Sequence, residues 1–143
     1  SERDDLLSAF YSRLTSPSKP IALSAAKAWA AYENSCATLA AVSRDAGETA
    51  LSLALLEAHY FTNDCFLPEN YILKQIKAIS HLPVFVVQGR HDVICPPFTA
   101  FKLVQAWGRQ AQLRMVDDAG HSAFEPGVIG RLMRGLDEIA QQI

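Results

Sequence analysis

The stretch that most limits the fold is Pro83-Val84-Phe85-Val86-Val87-Gln88-Gly89-Arg90-His91-Asp92. Its apolar run is short, continuous and bounded by proline and glycine. Such a run suits a strand buried on both faces of a parallel sheet, which we place at about 84–88. Asp92 then falls just past the strand's carboxyl end, where open α/β sheets hold their chemistry. A second run, Leu113-Arg114-Met115-Val116, predicts a strand over about 112–116 and leads into Asp117-Asp118-Ala119-Gly120-His121. An Asp after one strand and a His after the next are the last two members of a nucleophile–acid–base triad, in the chain order that puts the nucleophile first.

Helices are expected after each strand, one from Pro96-Pro97 to Trp107 and one from Pro126 to the end, with Ile129, Leu132, Met133 and Leu136 inward. The result is βαβα, the pattern of a parallel sheet with covering helices. The first eighty residues read as helical instead, with helices at about 4–14, 20–35, 48–61 and 71–79. Their inward faces are predicted at Leu6, Leu7, Phe10 and Leu14, then Ile21, Ala25, Ala28, Trp29 and Tyr32, then Leu51, Leu55 and Ala58. Residues 37–42 are expected as a loop or short extension. The fold class is therefore α/β, with a helical segment over 1–80 and a βαβα part over 81–143. Two parallel strands do not make a stable sheet alone, because their outer edges need partners. Sheet strands from a preceding segment are expected, and the abrupt start at Ser1-Glu2-Arg3 fits a piece of a longer protein. The alternative is self-association through the exposed sheet edge.

Composition narrows the function classes. The formal net charge is −2 over 143 residues and the basic residues are scattered, which suggests neither nucleic acid nor an anionic membrane as partner. No apolar run is long enough to span a bilayer, and no signal peptide is recognisable. Cys36, Cys65 and Cys95 are odd in number and far apart, so they form neither a disulfide framework nor a zinc pair. A reducing, cytoplasmic compartment is expected, with no metal and no cofactor.

Asp92 on position alone is equally a turn former that caps the next helix. Its pairing with His121 favours chemistry. A carboxylate there would accept the imidazole N–H, fix the tautomer and stabilise the imidazolium formed during proton transfer. Gly120 lets the chain turn sharply before His121, and a histidine near its usual pKa suits general-base work. Ser122 is no nucleophile candidate, since it would have to reach around its neighbouring base. His59, His81 and His91 have no metal-ligand spacing.

Gly89-Arg90-His91-Asp92-Val93-Ile94-Cys95-Pro96 and Gly120-His121-Ser122-Ala123-Phe124-Glu125-Pro126 resemble the C-terminal part of the proline iminopeptidase (prolyl aminopeptidase) family. These are α/β-hydrolase serine peptidases that remove an N-terminal proline. Upstream, Arg13-Leu14-Thr15-Ser16, Ala25-Ala26-Lys27-Ala28-Trp29 with Tyr32-Glu33, and Leu56-Glu57-Ala58-His59-Tyr60-Phe61 resemble the family's helical cap. The likeness covers nearly all of this chain but only about the last half of a family member.

The resemblance implies a helical cap followed by two βα units of an α/β-hydrolase fold. It implies Asp92 and His121 as triad acid and base, and Glu33 and Glu57 as cap glutamates that hold the substrate's free amino terminus. It places Cys95 near the substrate pocket. The implied partner is a peptide with N-terminal proline. Without the family, Glu33 and Glu57 read as a solvated helix face; Trp29 and Tyr32 are expected as cap packing rather than contacts to substrate. Two departures stand out. His91 replaces a common Tyr, and Asp64-Cys65 stands where members often carry glycines, so the local turn must differ if those positions need positive φ. Neither a Gly-x-Ser-x-Gly elbow nor a His-Gly-Gly-type oxyanion loop occurs in the sequence. The chain alone is therefore expected to be inactive. Rival readings are another capped α/β-hydrolase, such as an epoxide hydrolase or esterase, and a non-catalytic interaction module.

Overall fold

The computed structural model describes residues 2–39 and 49–141. The expected loop over 40–42, the start of the third helix at Glu48 and the last two residues of the final helix lie outside the described residues. The chain divides into two compact units, Ser1–Ser35 with Ser43–Glu69 and Cys36–Val42 with Asn70–Ile143.

In the first unit, α1 (Leu6–Leu14) begins at Asp5, whose carboxylate accepts the Ser8 N–H at 3.0 Å and the Ser8 hydroxyl at 2.7 Å. The Ser8 hydroxyl, then its N–H, hold the Asp5 carboxyl below its usual range. Pro20 sits in the first turn of α2 (Lys19–Ala37), where its missing N–H costs nothing. The third helix, α3, spans Thr49–Phe61. Ala50, Ala54 and Ala58 recur every fourth residue along it and are buried with Leu14, Ala25 and Ala26. This alanine stripe carries no bulk, so the helix backbones approach closely. Leu51 and Leu55 flank the stripe, half-buried. Ile21 and Tyr32, predicted inward, are exposed, because the smaller Ala22, Ala25 and Ala26 take the buried face of α2.

After α3 the chain makes a tight turn over Asp64–Phe66. Its φ angles are positive at Asp64 (50°), Cys65 (52°) and Phe66 (56°). The left-handed conformation is thus present without any glycine to relieve it, at a cost of roughly 1 kcal/mol per residue.

In the second unit, α4 (Tyr71–Gln75) tightens into a 3₁₀ turn over Ile76–Ala78. Strand β1 (Val84–Gly89) then pairs in parallel with β2 (Ala111–Val116), in register from Val84 opposite Ala111 to Gly89 opposite Val116. Helices α5 (Pro97–Trp107) and α6 (Pro126–Ala140) each pack on both strands. The Trp107 indole donates to the Leu82 carbonyl at 2.9 Å and ties α5 to the entrance of β1. The buried centre is Val116, Ala119 and Val128, with Val87 against it.

Helix α6 lies on the sheet through its small face. Gly127 abuts Val116, and Gly135 abuts the Phe85 ring. The predicted inward stripe of Ile129, Leu132, Met133 and Leu136 is exposed instead. The side of α6 that carries Val128 and Gly135, not the large apolar stripe, makes the close approach. Among the described residues no helix is long and apolar enough to cross a membrane.

Candidate active site

Parallel pairing places the carboxyl ends of β1 and β2 side by side, so the segments that follow emerge together. Gly89 ends β1 against the loop that carries His121: a Cβ there would stand 1.9 Å from the Gly120 carbonyl oxygen and 2.7 Å from that of Ala119. Backbone bonds stitch the loops beyond it. Arg90 N–H donates to the Val116 carbonyl at 2.9 Å, and His91 N–H to the Ala119 carbonyl at 3.0 Å.

This stitching sets Asp92 beside His121. The Asp92 residue is 7% exposed. Its Oδ1 accepts the N–H groups of Ile94 at 3.0 Å and Cys95 at 2.7 Å, and its Oδ2 accepts Gln88 Nε2 at 3.0 Å. His121 Nδ1 lies 3.0 Å from Oδ2 and 3.2 Å from Oδ1. The turn-forming and proton-relay readings of Asp92 are thus compatible in one side chain, as both sets of contacts are made at once. Burying a carboxylate is costly unless its oxygens are satisfied, and four donors satisfy this one.

The imidazole is 38% exposed at its side chain. Since a carboxylate only accepts, Nδ1 carries the proton. That leaves Nε2 as the basic nitrogen, turned away from the carboxylate. Such a pair can take a proton from a nucleophile at Nε2 and stabilise the resulting cation.

Two further side chains shape the site. Glu125 Oε1 accepts the Gly120 N–H at 2.7 Å, and its Oε2 the Leu39 N–H at 3.4 Å. The Ser122 N–H donates to the Ala37 carbonyl at 2.7 Å, while the Ser122 hydroxyl accepts from Phe124 N–H at 3.2 Å. Ser122 thus serves the turn that carries His121. Neither Glu125 nor Gln88 was assigned a role from sequence. Gln88 had a readable signal, since it is a polar residue within an otherwise apolar, half-buried strand.

Cys95 borders the site through its backbone, and its residue is exposed. Burial of the thiol, and then the negative charge of Asp92, push its pKa up, so the neutral thiol is favoured. Among the described residues no group of three or more His, Cys, Asp or Glu side chains could hold a metal ion.

Glu33 and Glu57 lie in the first unit, on α2 and α3, and both are half-buried. Glu57 Oε2 accepts the Trp29 indole N–H at 2.8 Å. The Trp29 ring meets Phe10 edge-on at 5.5 Å and stacks on Phe61 at 6.3 Å. Trp29 is therefore packing, as read from sequence, and also a hydrogen-bond donor to a glutamate.

The parallel βα units, with an acid after one strand and a histidine after the next, make this chain a portion of an α/β-hydrolase fold. No protein-family model matches it. It is 39% identical over 145 residues to a proline iminopeptidase from Xanthomonas citri, covering 97% of this chain and 46% of the relative. A probable proline iminopeptidase from Leptolyngbya boryana is 39% identical, with 99% and 46% covered. A proline iminopeptidase from Arabidopsis thaliana is 37% identical, with 90% and 35% covered. The chain is homologous to the C-terminal half of the proline iminopeptidases. It spans less than half the length of these relatives.

Proposed function

We propose that this chain is the acid–base half of a serine exopeptidase that releases N-terminal proline from peptides. The observation that carries the reading is the buried Asp92 carboxylate 3.0 Å from Nδ1 of a partly exposed His121, on a chain related to proline iminopeptidases. In this mechanism a serine from a segment absent from this sequence attacks the prolyl carbonyl. His121 Nε2 takes the serine proton and returns it to the leaving amine. Asp92 holds the imidazole in one tautomer and stabilises its cation.

Glu33 and Glu57 receive the substrate's amino terminus. A prolyl terminus is a protonated secondary amine with two N–H donors and a flat apolar ring. Two carboxylates match both donors and offset the charge. Trp29 occupies Oε2 of Glu57, which leaves Oε1 for the amine. Cys95 lies beside the pocket as a neutral thiol. The protein works in a reducing, cytoplasmic setting, in keeping with the exposed, unpaired thiols Cys65 and Cys95.

By this reading the chain alone is inactive, for want of the nucleophile elbow. Further polypeptide covers the outer sheet edges and the apolar stripe of α6; where that polypeptide is missing, the chain self-associates through its sheet edge. The test is release of arylamine from a prolyl arylamide by the pure 143-residue chain. No release above background is expected, and sustained turnover that co-purifies with the chain would contradict the proposal.

A further inference from the structure

We propose that Gln88 is a positioning residue for the acid–base pair: its side-chain amide locks the Asp92 carboxylate in the orientation that faces His121. The inference rests on the reading of Asp92 and His121 as that pair. Gln88 ends the apolar part of β1, immediately before Gly89. Its Nε2 lies 3.0 Å from Asp92 Oδ2, 3.1 Å from the Cys95 carbonyl oxygen and 3.3 Å from the Gly89 carbonyl oxygen. All three neighbours accept and none donates. The amide nitrogen, not Oε1, must therefore face them, since the reversed amide would set oxygen against three acceptors.

The contacts divide the work on Asp92. Backbone N–H groups of Ile94 and Cys95 hold Oδ1, and Gln88 holds Oδ2. Rotation of a carboxylate about its last bond is otherwise broad. Anchors on both oxygens stop that rotation and leave the open side of Oδ2 to His121 Nδ1. The second amide hydrogen reaches the Cys95 carbonyl, on the far side of the acid loop. One side chain thus joins the strand end, the carboxylate and the loop that wraps it. The residue acts through Asp92 and touches no reacting atom.

The test is the ring-nitrogen NMR of His121 in the ¹⁵N-histidine-labelled 143-residue chain. In the unsubstituted chain the neutral ring is expected as the Nδ1–H tautomer, and Asp92→Asn is expected to abolish that preference. Gln88→Met keeps the size and apolar packing of the side chain but removes the donor. It is expected to shift the ring toward a tautomer mixture and to speed exchange of the Nδ1 proton with water about tenfold, the scale of one lost hydrogen bond. Unchanged ring shifts and exchange, with β1 and β2 amides still protected, would overturn the proposal. If instead the unsubstituted ring shows no Nδ1–H preference, the reading of Asp92 and His121 falls, and the assignment of Gln88 falls with it. Should Gln88→Met not fold, Gln88→Glu carries the test. It removes the amide donor and sets acceptor oxygens against Asp92 Oδ2, so the Nδ1–H preference of His121 is expected to weaken. An Nδ1–H preference and exchange rate unchanged in that variant would again overturn the proposal.

Discussion

Gly89 and Gly120 touch backbone to backbone: a Cβ on Gly89 would stand 1.9 Å from the Gly120 carbonyl oxygen. This contact brings the loop of Asp92 against the loop of His121. An alanine cannot be absorbed there by moving a side chain, because the obstacle is main chain. Gly89→Ala should therefore cost about 3 kcal/mol, at the upper end of overpacking. It should also loosen the 3.0 Å Asp92–His121 contact. Urea unfolding of the two chains measures the first, and the His121 Nδ1–H resonance reports the second.

The proposed binding of an amino terminus by Glu33 and Glu57 can be separated from ester chemistry. In a hybrid carrying this chain in place of the matching half of the Xanthomonas citri relative, Glu33→Gln and Glu57→Gln should each lower kcat/KM for a prolyl arylamide by about 10- to 100-fold. That is the worth of a hydrogen bond to a charged group. Simple esters, which have no amino terminus, should lose much less. Trp29→Phe keeps the contacts with Phe10 and Phe61 but drops the donor to Glu57, and should show a smaller loss, mainly in KM. Equal losses on both substrate types would favour a different capped hydrolase.

Cys95 should alkylate slowly for an exposed cysteine. Its raised pKa comes first from burial and then from Asp92. The folded state favours the neutral thiol, so its contribution to stability is full below the free thiol's pKa and is lost as pH rises through the folded value. Iodoacetamide labelling at pH 8 should be slower in the native chain than in the urea-unfolded chain, and Asp92→Asn should speed the native rate. Equal native and unfolded rates would contradict the shift.

The turn at Asp64–Phe66 stores strain that glycine would release. Cys65 has φ 52°. Cys65→Gly should raise stability by about 0.5–1 kcal/mol, whereas Cys65→Ser, with the same backbone demand, should change it little. Thermal unfolding of the two variants distinguishes strain relief from loss of the thiol.

Much of the fold was legible because its elements announce themselves. The apolar run before Gly89 marked β1, and the prolines at Pro97 and Pro126 marked helix starts. The adjacency of Asp92 and His121 followed from strand order and the chemistry of strand ends. Helix faces were less legible. In α2 and α3 the buried residues are alanines, and in α6 they are Val128 and Gly135, while Ile21, Tyr32 and Leu136 are exposed. Hydrophobicity ranks the large residues first, whereas close helix packing selects the small ones. Gln88 stands out in the sequence as a polar residue in an apolar strand, but its partners, like those of Glu125, are backbone and carboxylate groups that only the folded loops bring within reach. The left-handed turn at Cys65 was posed as a departure from the family's glycines, yet the backbone keeps positive φ there and bears the strain.

The most direct measurement is prolyl-arylamide hydrolysis by the hybrid of this chain with the N-terminal half of the Xanthomonas citri relative, beside its Asp92→Asn and His121→Ala variants. The hybrid should release arylamine, and each substitution should lower kcat by about 10³-fold or more while leaving the fold intact. A folded hybrid that is inactive, or one whose activity survives His121→Ala, would contradict the assignment of Asp92 and His121 as its acid–base pair.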